Sequence, residues 1–222
     1  MQTSAAAPTS AHIAHAFLPD RWHYHYARSK LASDPLYAGV LDALEGAAMP
    51  VLDLGCGIGL VAHYAQAHGR ALDYRGVDND AGKIAQAQAG AARIGLSGAR
   101  FEVMDLARSF PEHRGSVLLL DVLQFLPAPA QAATLERIAG CLVPGARLVM
   151  RTGLRDGSWR AGVTRAADVA SHAIRWMRSA PGSLPTRQGL EASLAGLGLD
   201  ARFAPLWGRT PFNNWLVVAG RR

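Results

Sequence analysis

The chain has 222 residues, half of them hydrophobic, and a formal net charge of +6 at pH 7. This length predicts one domain that can bury a core, and two cysteines are too few for a disulfide framework. No apolar run approaches the roughly 20 residues that a membrane helix requires, and the amino terminus lacks a signal-peptide pattern. We therefore expect a cytoplasmic protein with no membrane partner.

The positive charge is concentrated in one part of the chain. From Arg151 to Arg187 there are seven arginines and two acidic residues, so this stretch carries +5 of the +6. The remainder is close to neutral, unlike a protein coated with basic residues for binding nucleic acid. A nucleic-acid partner is therefore disfavoured.

The segment before residue 51 is predicted to contain helices and no strand. Residues 1–16 predict a disordered or loose tail, and residues 20–48 predict a helical cap in front of the sheet. Within this cap, the stretch SDPLYAGVLDALEGAA predicts a helix with Pro35 at its first position. Its amino-terminal cap would be Ser33 or Asp34.

From residue 51 onward, apolar strands alternate with amphipathic helices, which predicts a parallel sheet with helices on both faces. The predicted strands of this part are PVLDLG, ALDYRGVDN, ARFEVMDL, GSVLLLDVLQF and GARLVMRT. The last two apolar runs, DARFAPLWG and NNWLVVAGR, are joined by too few residues for a crossover helix and should pair antiparallel. Residues 17–222 therefore predict a single α/β domain.

A glycine-rich stretch, VLDLGCGIG at residues 51–59, connects the first strand with the following helix. Glycine allows a sharp turn and a close approach of the backbone to a ligand, and open α/β sheets bind ligands here. The dinucleotide fingerprint G-x-G-x-x-G does not fit, because Leu60 stands where its third glycine would be. Asp53 would also repel a pyrophosphate, whereas its carboxylate suits a cationic ligand.

The string DLGCGIG closely resembles the first motif of class I S-adenosylmethionine (SAM)-dependent methyltransferases, and the resemblance extends over about residues 35–220. It implies a seven-stranded, mostly parallel sheet of order 3-2-1-4-5-7-6 with the last strand antiparallel. It also implies SAM as cofactor and S-adenosylhomocysteine (SAH) as product. In the implied reaction the methyl group is transferred in line, with rate supplied by positioning and desolvation.

The resemblance assigns cofactor-binding roles to acids at the ends of strands and to their neighbours. Asp78 would hold the ribose hydroxyls through charge-assisted hydrogen bonds, and Asp105 would accept from the adenine amino group. The alternatives are that Asp78 caps the following helix, a role also open to Asp80, and that Asp105 starts a loop. The residues expected at the cofactor are Asp53, Gly55, Cys56, Gly57, Asp78, Asn79, Met104, Asp105, Leu106, Asp121 and Val122. For Cys56 the backbone is expected to matter, and the thiol is assigned no chemistry.

Three residues are candidates for a catalytic role: His25, Tyr26 and Gln124. Gln124 follows the fourth strand, where the family places residues beside the methyl group or the acceptor. His25 and Tyr26 belong to an aromatic segment in which one side chain could act as a general base. We expect no metal site, because no cluster of His, Asp and Glu with ligand spacing occurs near the fourth and fifth strands.

The methyl acceptor is expected to be a small molecule. Enzymes that methylate base amino groups typically carry an Asn/Asp-Pro-Pro-aromatic signature after the fourth strand, where this chain has DVLQF. The flanks RWHYHYARSKLASDPLY and TPFNNWLVVAGRR have a weaker similarity to small methyltransferases of aryl-polyene or xanthomonadin-type pigment pathways. This similarity implies an aromatic acceptor, either free or bound to an acidic acyl carrier protein. The alternatives are an RNA or protein methyltransferase and a SAM-binding protein without catalytic activity.

The arginine-rich insert, residues 154–188, is expected on the acceptor side, where it would recruit an acidic substrate or carrier protein. The alternative is an amphipathic lid whose arginines are solvated. Exchanging Arg175 and Arg178 together for Glu should lower kcat/KM steeply at low salt and much less at high salt, since salt screens exposed charges over about 8 Å under physiological conditions. SAM affinity should not change. Steady-state kinetics at two ionic strengths measure this, and normal turnover at low salt would support the lid.

Overall fold

The computed structural model describes residues 8–160, 162–163, 166, 184–208 and 210–221. The strands are β1 (Val51–Leu54), β2 (Tyr74–Asp78), β3 (Ala99–Val103), β4 (Ser116–Leu120), β5 (Arg147–Gly153), β6 (Leu199–Pro205) and β7 (Asn214–Arg221). The α-helices are α1 (Ser10–Ala14), α2 (Arg21–Ser33), α3 (Leu36–Ala43), α4 (Leu60–Ala67), α5 (Ala81–Ile94), α6 (Ala128–Cys141) and α7 (Arg187–Gly196). Short 3-10 helices follow at His15–Phe17 and Leu123–Phe125.

The seven strands form one sheet in the order β3-β2-β1-β4-β5-β7-β6. Strand β7 runs antiparallel to both β5 and β6, and the other neighbouring pairs are parallel. The predicted fold class and strand order are therefore confirmed. Because the chain order reverses between β1 and β4, the carboxyl ends of these two strands flank the crevice where such sheets bind ligands.

Both faces of the sheet are covered by apolar side chains. Successive residues of a strand point to opposite faces, so a central strand that is buried on both sides is apolar throughout. Val51 and Leu118 belong to one core, whereas Leu52 and Leu119 belong to the other. The only acid of β1, Asp53, shares the face of Val51, and this places a carboxyl group within an otherwise apolar layer.

The amino-terminal segment differs from the prediction. Residues 10–16 form α1 and the start of a 3-10 helix, and Phe17 is only 1% exposed. The ring of Phe17 lies 4.8 Å from that of His63 on α4, and Nη1 of Arg93 on α5 donates to the carbonyl of Ala16. These residues thus depart from the expected loose tail, because Ile13, Ala14 and Ala16 are buried and the segment packs on α4 and α5.

In the helical cap, the start of the second helix differs from the prediction by one residue, because Pro35 is its N-cap and Ser33 still belongs to α2. Helix α3 begins at Leu36, directly after Pro35, and the side chain of Asp34 accepts a hydrogen bond from the Leu36 N–H at 3.0 Å. Most of the insert at 154–188, including Arg175 and Arg178, lies outside the described residues. No helix within the described part of the chain is long and apolar enough to cross a membrane.

Replacing Phe17 by Ala tests whether the amino-terminal segment belongs to the folded core. Removal of a fully buried Phe side chain leaves a cavity, so the free energy of unfolding should fall by about 3 kcal/mol. Val103→Ala is a control, since Val103 is 56% exposed and its truncation should change stability by about 0.5 kcal/mol or less. Urea denaturation measures both values, and a loss below about 1 kcal/mol for Phe17→Ala would support a loosely attached tail.

Candidate functional site

The turn after β1 uses its three glycines for different purposes. Gly55, Gly57 and Gly59 have φ angles of 82°, 58° and 74°, in the left-handed region that other residues rarely adopt. A Cβ at Gly55 would lie 2.4 Å from Cγ2 of Val122, and a Cβ at Gly59 would lie 2.4 Å from the ring of Phe101. Nothing lies within 4 Å of the corresponding position at Gly57. Packing therefore requires glycine at positions 55 and 59, whereas Gly57 presents bare backbone to open space.

Asp53 is a buried acid with one unused oxygen. Its side chain is on β1, the residue is 2% exposed, and Oδ2 accepts a hydrogen bond of 2.5 Å from the Tyr74 hydroxyl. Its Oδ1 has no hydrogen-bond partner among the described residues. Burial, helped by the charge of Asp78 and opposed by the Tyr74 hydrogen bond, raises the pKa of Asp53 to about 7. A cationic group beside Oδ1 would stabilise the ionised form.

Asp78, at the end of β2, is tied to the glycine turn. Its Oδ2 accepts from the backbone N–H of Gly57 at 2.9 Å, and its Oδ1 accepts from the N–H of Asp80 at 2.9 Å. The capping role belongs to Asp80, whose Oδ1 accepts from the N–H of Gly82 at the start of α5. Each carboxylate oxygen can accept more than one hydrogen bond, so Asp78 retains acceptor capacity for ligand hydroxyls.

The end of β3 lies beside Asp78, because the N–H of Met104 donates to the Asp78 carbonyl at 2.9 Å. The side chain of Asp105 accepts from the N–H of Ala107 at 3.0 Å and lies 3.5 Å from Nε of Arg108. The loop-starting role considered for Asp105 is therefore present in the structure, while its carboxylate stays half-buried at this edge of the sheet. The other two residues expected around the adenine are Asn79, which is exposed, and Leu106, which is half-buried.

Cys56 contributes backbone and packing to the turn. Its N–H donates to the carbonyl of Val77 at 3.0 Å, and a Cβ at Gly76 would lie only 2.7 Å from its Sγ. Burial raises the pKa of the thiol well above its usual value, so the thiol is not activated as a nucleophile. The side chain therefore fills the space that Gly76 leaves on β2.

Asp121, expected beside the methionine part of SAM, is held by an arginine that the sequence analysis did not identify. Nε of Arg151, on β5, donates to Oδ1 of Asp121 at 2.8 Å, and Nη2 donates to Oδ2. Nη1 of Arg151 donates to Oδ1 of Asp34 at 2.5 Å, and Nζ of Lys30 lies 3.2 Å from Oδ2 of Asp34. We call these four residues the Arg151 network.

Arg151 stays charged although it is only 1% exposed. Burial opposes the charge, but the two carboxylates more than offset this effect and raise the pKa of the guanidinium. The stretch GARLVMRT contains two arginines, Arg147 and Arg151, and nothing in it distinguishes one from the other. The partners of Arg151, Asp34 and Asp121, are distant along the chain. Only their meeting in the folded protein identifies the network.

The structure separates the three catalytic candidates. His25 is exposed on α2. Gln124 is 5% exposed and its Oε1 accepts from the Thr152 hydroxyl at 3.3 Å, which gives this amide a partner within the fold. Tyr26 is half-buried, and burial together with the charges of Asp121 and Asp34 raises its pKa. Its phenol therefore stays protonated at neutral pH, which suits a hydrogen-bond donor better than a general base.

These features fit a ligand with a cationic end and neighbouring hydroxyl groups. Gly57 leaves room for close approach, Asp53 offers an unused buried oxygen, and Asp78 presents a carboxylate at the same turn. The residues present therefore fit SAM. Among the described residues, no group of three or more His, Cys, Asp and Glu side chains could hold a metal ion.

Comparisons with known proteins agree with this site. Residues 51–145, which include the glycine turn and the ends of β2, β3 and β4, match a family described as a methyltransferase domain. This match identifies residues 51–145 as a methyltransferase domain, and the fit of the glycine turn and its acids to SAM agrees with it.

Two curated relatives and one solved structure illustrate the similarity. The chain is 38% identical over 105 residues to a ribosomal protein L11 methyltransferase of Xylella fastidiosa, covering 47% of this chain and 32% of that protein. It is 32% identical over 176 residues to a trans-aconitate 2-methyltransferase of Methylobacterium nodulans, covering 77% of this chain and 56% of that protein. The chain thus spans 32% of the first relative's length and 56% of the second's. Magnesium protoporphyrin IX methyltransferase of Synechocystis PCC 6803 with bound SAH has 16% identity and a TM-score of 0.63, with 96% of this chain and 86% of that chain covered.

The raised pKa of Asp53 predicts that cofactor binding depends on pH. A bound cation lowers the pKa of this carboxyl, so binding releases a proton and SAM affinity should increase as pH rises from about 5.5 to 7. At pH values below about 7, the pKa of Asp53 in the free protein, SAM affinity should rise by close to tenfold per pH unit. Calorimetry in buffers of different protonation enthalpy measures both the affinity and the proton.

The matched variant is Asp53→Asn, which keeps the shape of the side chain and cannot ionise. It should bind SAM weakly, with no proton release and little dependence on pH over this range. An unchanged proton release in this variant would show that another group responds to the cofactor.

Proposed function

We propose that this protein transfers the methyl group of SAM to an aromatic small-molecule acceptor, free or bound to a carrier protein. The observation that carries this proposal is the concentration of flat aromatic surfaces around the carboxyl ends of β4 and β5. These surfaces come from α2 on one side and from the segments around residues 159 and 207 on the other.

On the α2 side, Trp22 and Tyr26 are stacked, with ring centroids 5.5 Å apart and an angle of 13° between their planes. Trp22 is 55% exposed, which is unusual for so large an apolar side chain. Tyr26 interacts electrostatically with all four members of the Arg151 network, so this aromatic pair lies near the ends of β4 and β5. An exposed ring beside a cofactor site offers a planar acceptor a surface for stacking.

A second aromatic surface lies next to the start of α3. A Cβ at Gly208 would be 3.1 Å from the ring of Pro35, which places Trp207 beside the residues that follow Asp34. The guanidinium of Arg160 lies 4.9 Å from the ring centroid of Trp207 and 4.8 Å from that of Trp159. Planar guanidinium and indole groups both favour planar, electron-rich ligands.

The chemistry required of the chain is modest. Bound SAM supplies a methyl group on a sulfonium leaving group; the methyl–sulfur bond breaks, a bond to the acceptor nucleophile forms, and the acceptor proton passes to solvent. Asp53 and Asp78 would hold the cofactor, and the Tyr26 hydroxyl would donate a hydrogen bond to the acceptor. An acceptor acidic enough to ionise by itself needs no general base, in keeping with the raised pKa of Tyr26.

A second candidate is methylation of a protein. Its support is the 38% identity to the ribosomal protein L11 methyltransferase. The matched length is 105 residues and covers 32% of that enzyme, a length comparable with the methyltransferase domain alone. The identity is therefore evidence for a shared domain more than for a shared acceptor.

Transfer of labelled methyl groups from SAM tests the proposal against its alternatives. Candidate acceptors are phenols and aryl carboxylic acids, the same acids attached to an acyl carrier protein, ribosomal protein and RNA. We expect labelling of an aromatic acid or phenol in one of the first two forms. Labelling of ribosomal protein or RNA alone would contradict the proposal, and binding of SAM without any transfer would indicate a silent SAM-binding protein.

Variants separate acceptor binding from cofactor binding. Trp22→Ala should raise the KM of the aromatic acceptor up to about tenfold, the worth of one aromatic contact, and leave SAH affinity unchanged. Asp78→Ala should weaken SAM binding about a hundredfold, because it removes a charge-assisted pair of hydrogen bonds. Arg28→Ala, an exposed position on α2, is the matched control and should change neither quantity.

A further inference from the structure

We propose that Arg151 is a positioning residue that couples the helical cap, α2 and α3, to the cofactor site, so that cap docking and cofactor binding strengthen each other. The inference rests on the proposed function only in requiring that the chain binds SAM or SAH. It concerns four side chains that are spread over the cap, the end of β4 and the middle of the sheet.

One side of the network controls the end of β4. Asp121 has a φ of 58° and is the only residue other than glycine with a positive φ in the described part of the chain. This conformation is unfavourable for a residue with a side chain, so contacts around it must maintain it. Arg151 supplies them on two sides, because its side chain binds both Asp121 oxygens and its carbonyl accepts from the Asp121 N–H at 2.9 Å.

The conformation of Asp121 is transmitted to the glycine turn. The next residue, Val122, packs against Gly55: a Cβ at Gly55 would lie only 2.4 Å from Cγ2 of Val122. The turn after β1 therefore rests on the residue that follows Asp121. Any change that releases Asp121 from Arg151 also changes the support of the turn that carries Gly57.

The other side of the network holds the cap. The carboxylate of Asp34 binds Arg151 of β5, the backbone N–H of Leu36 at the start of α3, and Nζ of Lys30 in the last turn of α2. The side chain of Asp34 is only 9% exposed, and the nearby cations keep its pKa low although burial acts to raise it. Three elements therefore meet on one ionised carboxylate.

Coupling follows because the same guanidinium serves both sides. An undocked cap would leave Arg151 with a single carboxylate partner, and this would weaken the hold on Asp121 and on the glycine turn behind it. A ligand that stabilises the turn therefore favours the docked cap, and the docked cap favours the ligand to the same degree. Because Trp22 and Tyr26 are on α2, cofactor binding would also position the aromatic surface for the acceptor.

Asp34→Asn tests the coupling with the smallest change of shape. Its amide oxygen can still accept from the N–H of Leu36, but the charge that attracts Arg151 and Lys30 is lost. We expect SAH affinity, measured by calorimetry, to fall about tenfold, although no member of this contact belongs to the cofactor-binding set. In the unaltered protein, SAH should slow amide hydrogen exchange in α2 several-fold, and Asp34→Asn should abolish most of this protection.

Asp42→Asn on α3 is the control. Its side chain is 76% exposed and has a weak ion pair with Arg70 at 3.8 Å, so it should change neither SAH affinity nor the protection of α2. If Asp34→Asn does not fold, Lys30→Gln, at a side chain that is 37% exposed, should change both readouts in the same direction by a smaller factor.

The outcomes are distinct. A lower melting temperature of Asp34→Asn with unchanged SAH affinity and unchanged protection of α2 would mean that the network only stabilises the fold, and the inference would be wrong. SAH binding to the unaltered protein without any slowing of exchange in α2 would overturn the coupling and leave the proposed function intact. Failure of the unaltered protein to bind SAH would overturn both.

Discussion

Arg151 carries a full positive charge in a strand whose preceding residues, Leu148, Val149 and Met150, have no exposed surface. Removing such a charge from water costs several kcal/mol, and a buried pair that loses one partner is destabilised by about 3–5 kcal/mol. The guanidinium therefore needs both of its carboxylates, Asp34 and Asp121. This requirement fixes the end of β4 and the junction between α2 and α3 with one side chain.

Three acids at the edge of the sheet differ in what surrounds them, and this difference distinguishes their roles. Asp121 is neutralised by Arg151, and Asp78 accepts hydrogen bonds from two backbone N–H groups. Asp53 is the most deeply buried of the three and has a single hydroxyl partner. A bound cation would therefore stabilise the ionised form of Asp53 more than that of the other two acids. The raised pKa of Asp53 has the same cause, namely burial without a cationic partner.

The region shared with the methyltransferase family explains the cofactor better than the acceptor. The match covers residues 51–145, whereas Trp22, Tyr26, Arg151 and Trp207 all lie outside it. Cofactor-binding features are therefore common to many proteins with this domain, and the parts that surround the acceptor differ between them. An argument about the acceptor must rest on the aromatic surfaces and charges of this chain itself.

The sequence by itself determined the features that depend on local chemistry. The stretch VLDLGCGIG predicted the turn, because glycine adopts positive φ angles at little cost, and the alternation of strands and helices predicted an α/β sheet. The resemblance carried by that stretch supplied the strand order and the acids expected at the cofactor. The capping role of Asp80 was also accessible, since a cap lies within three residues of the N–H groups it binds.

The tertiary structure decided the interactions between distant residues. Asp121 lies 30 residues and Asp34 lies 117 residues from Arg151 along the chain, so no local pattern could show that one guanidinium joins them. The order of residues 10–17 likewise comes from the surface of α4 and α5 that receives Phe17. In both cases the favourable energy comes from burial and charge pairing between separate elements, and this energy exists only once the sheet has brought those elements together.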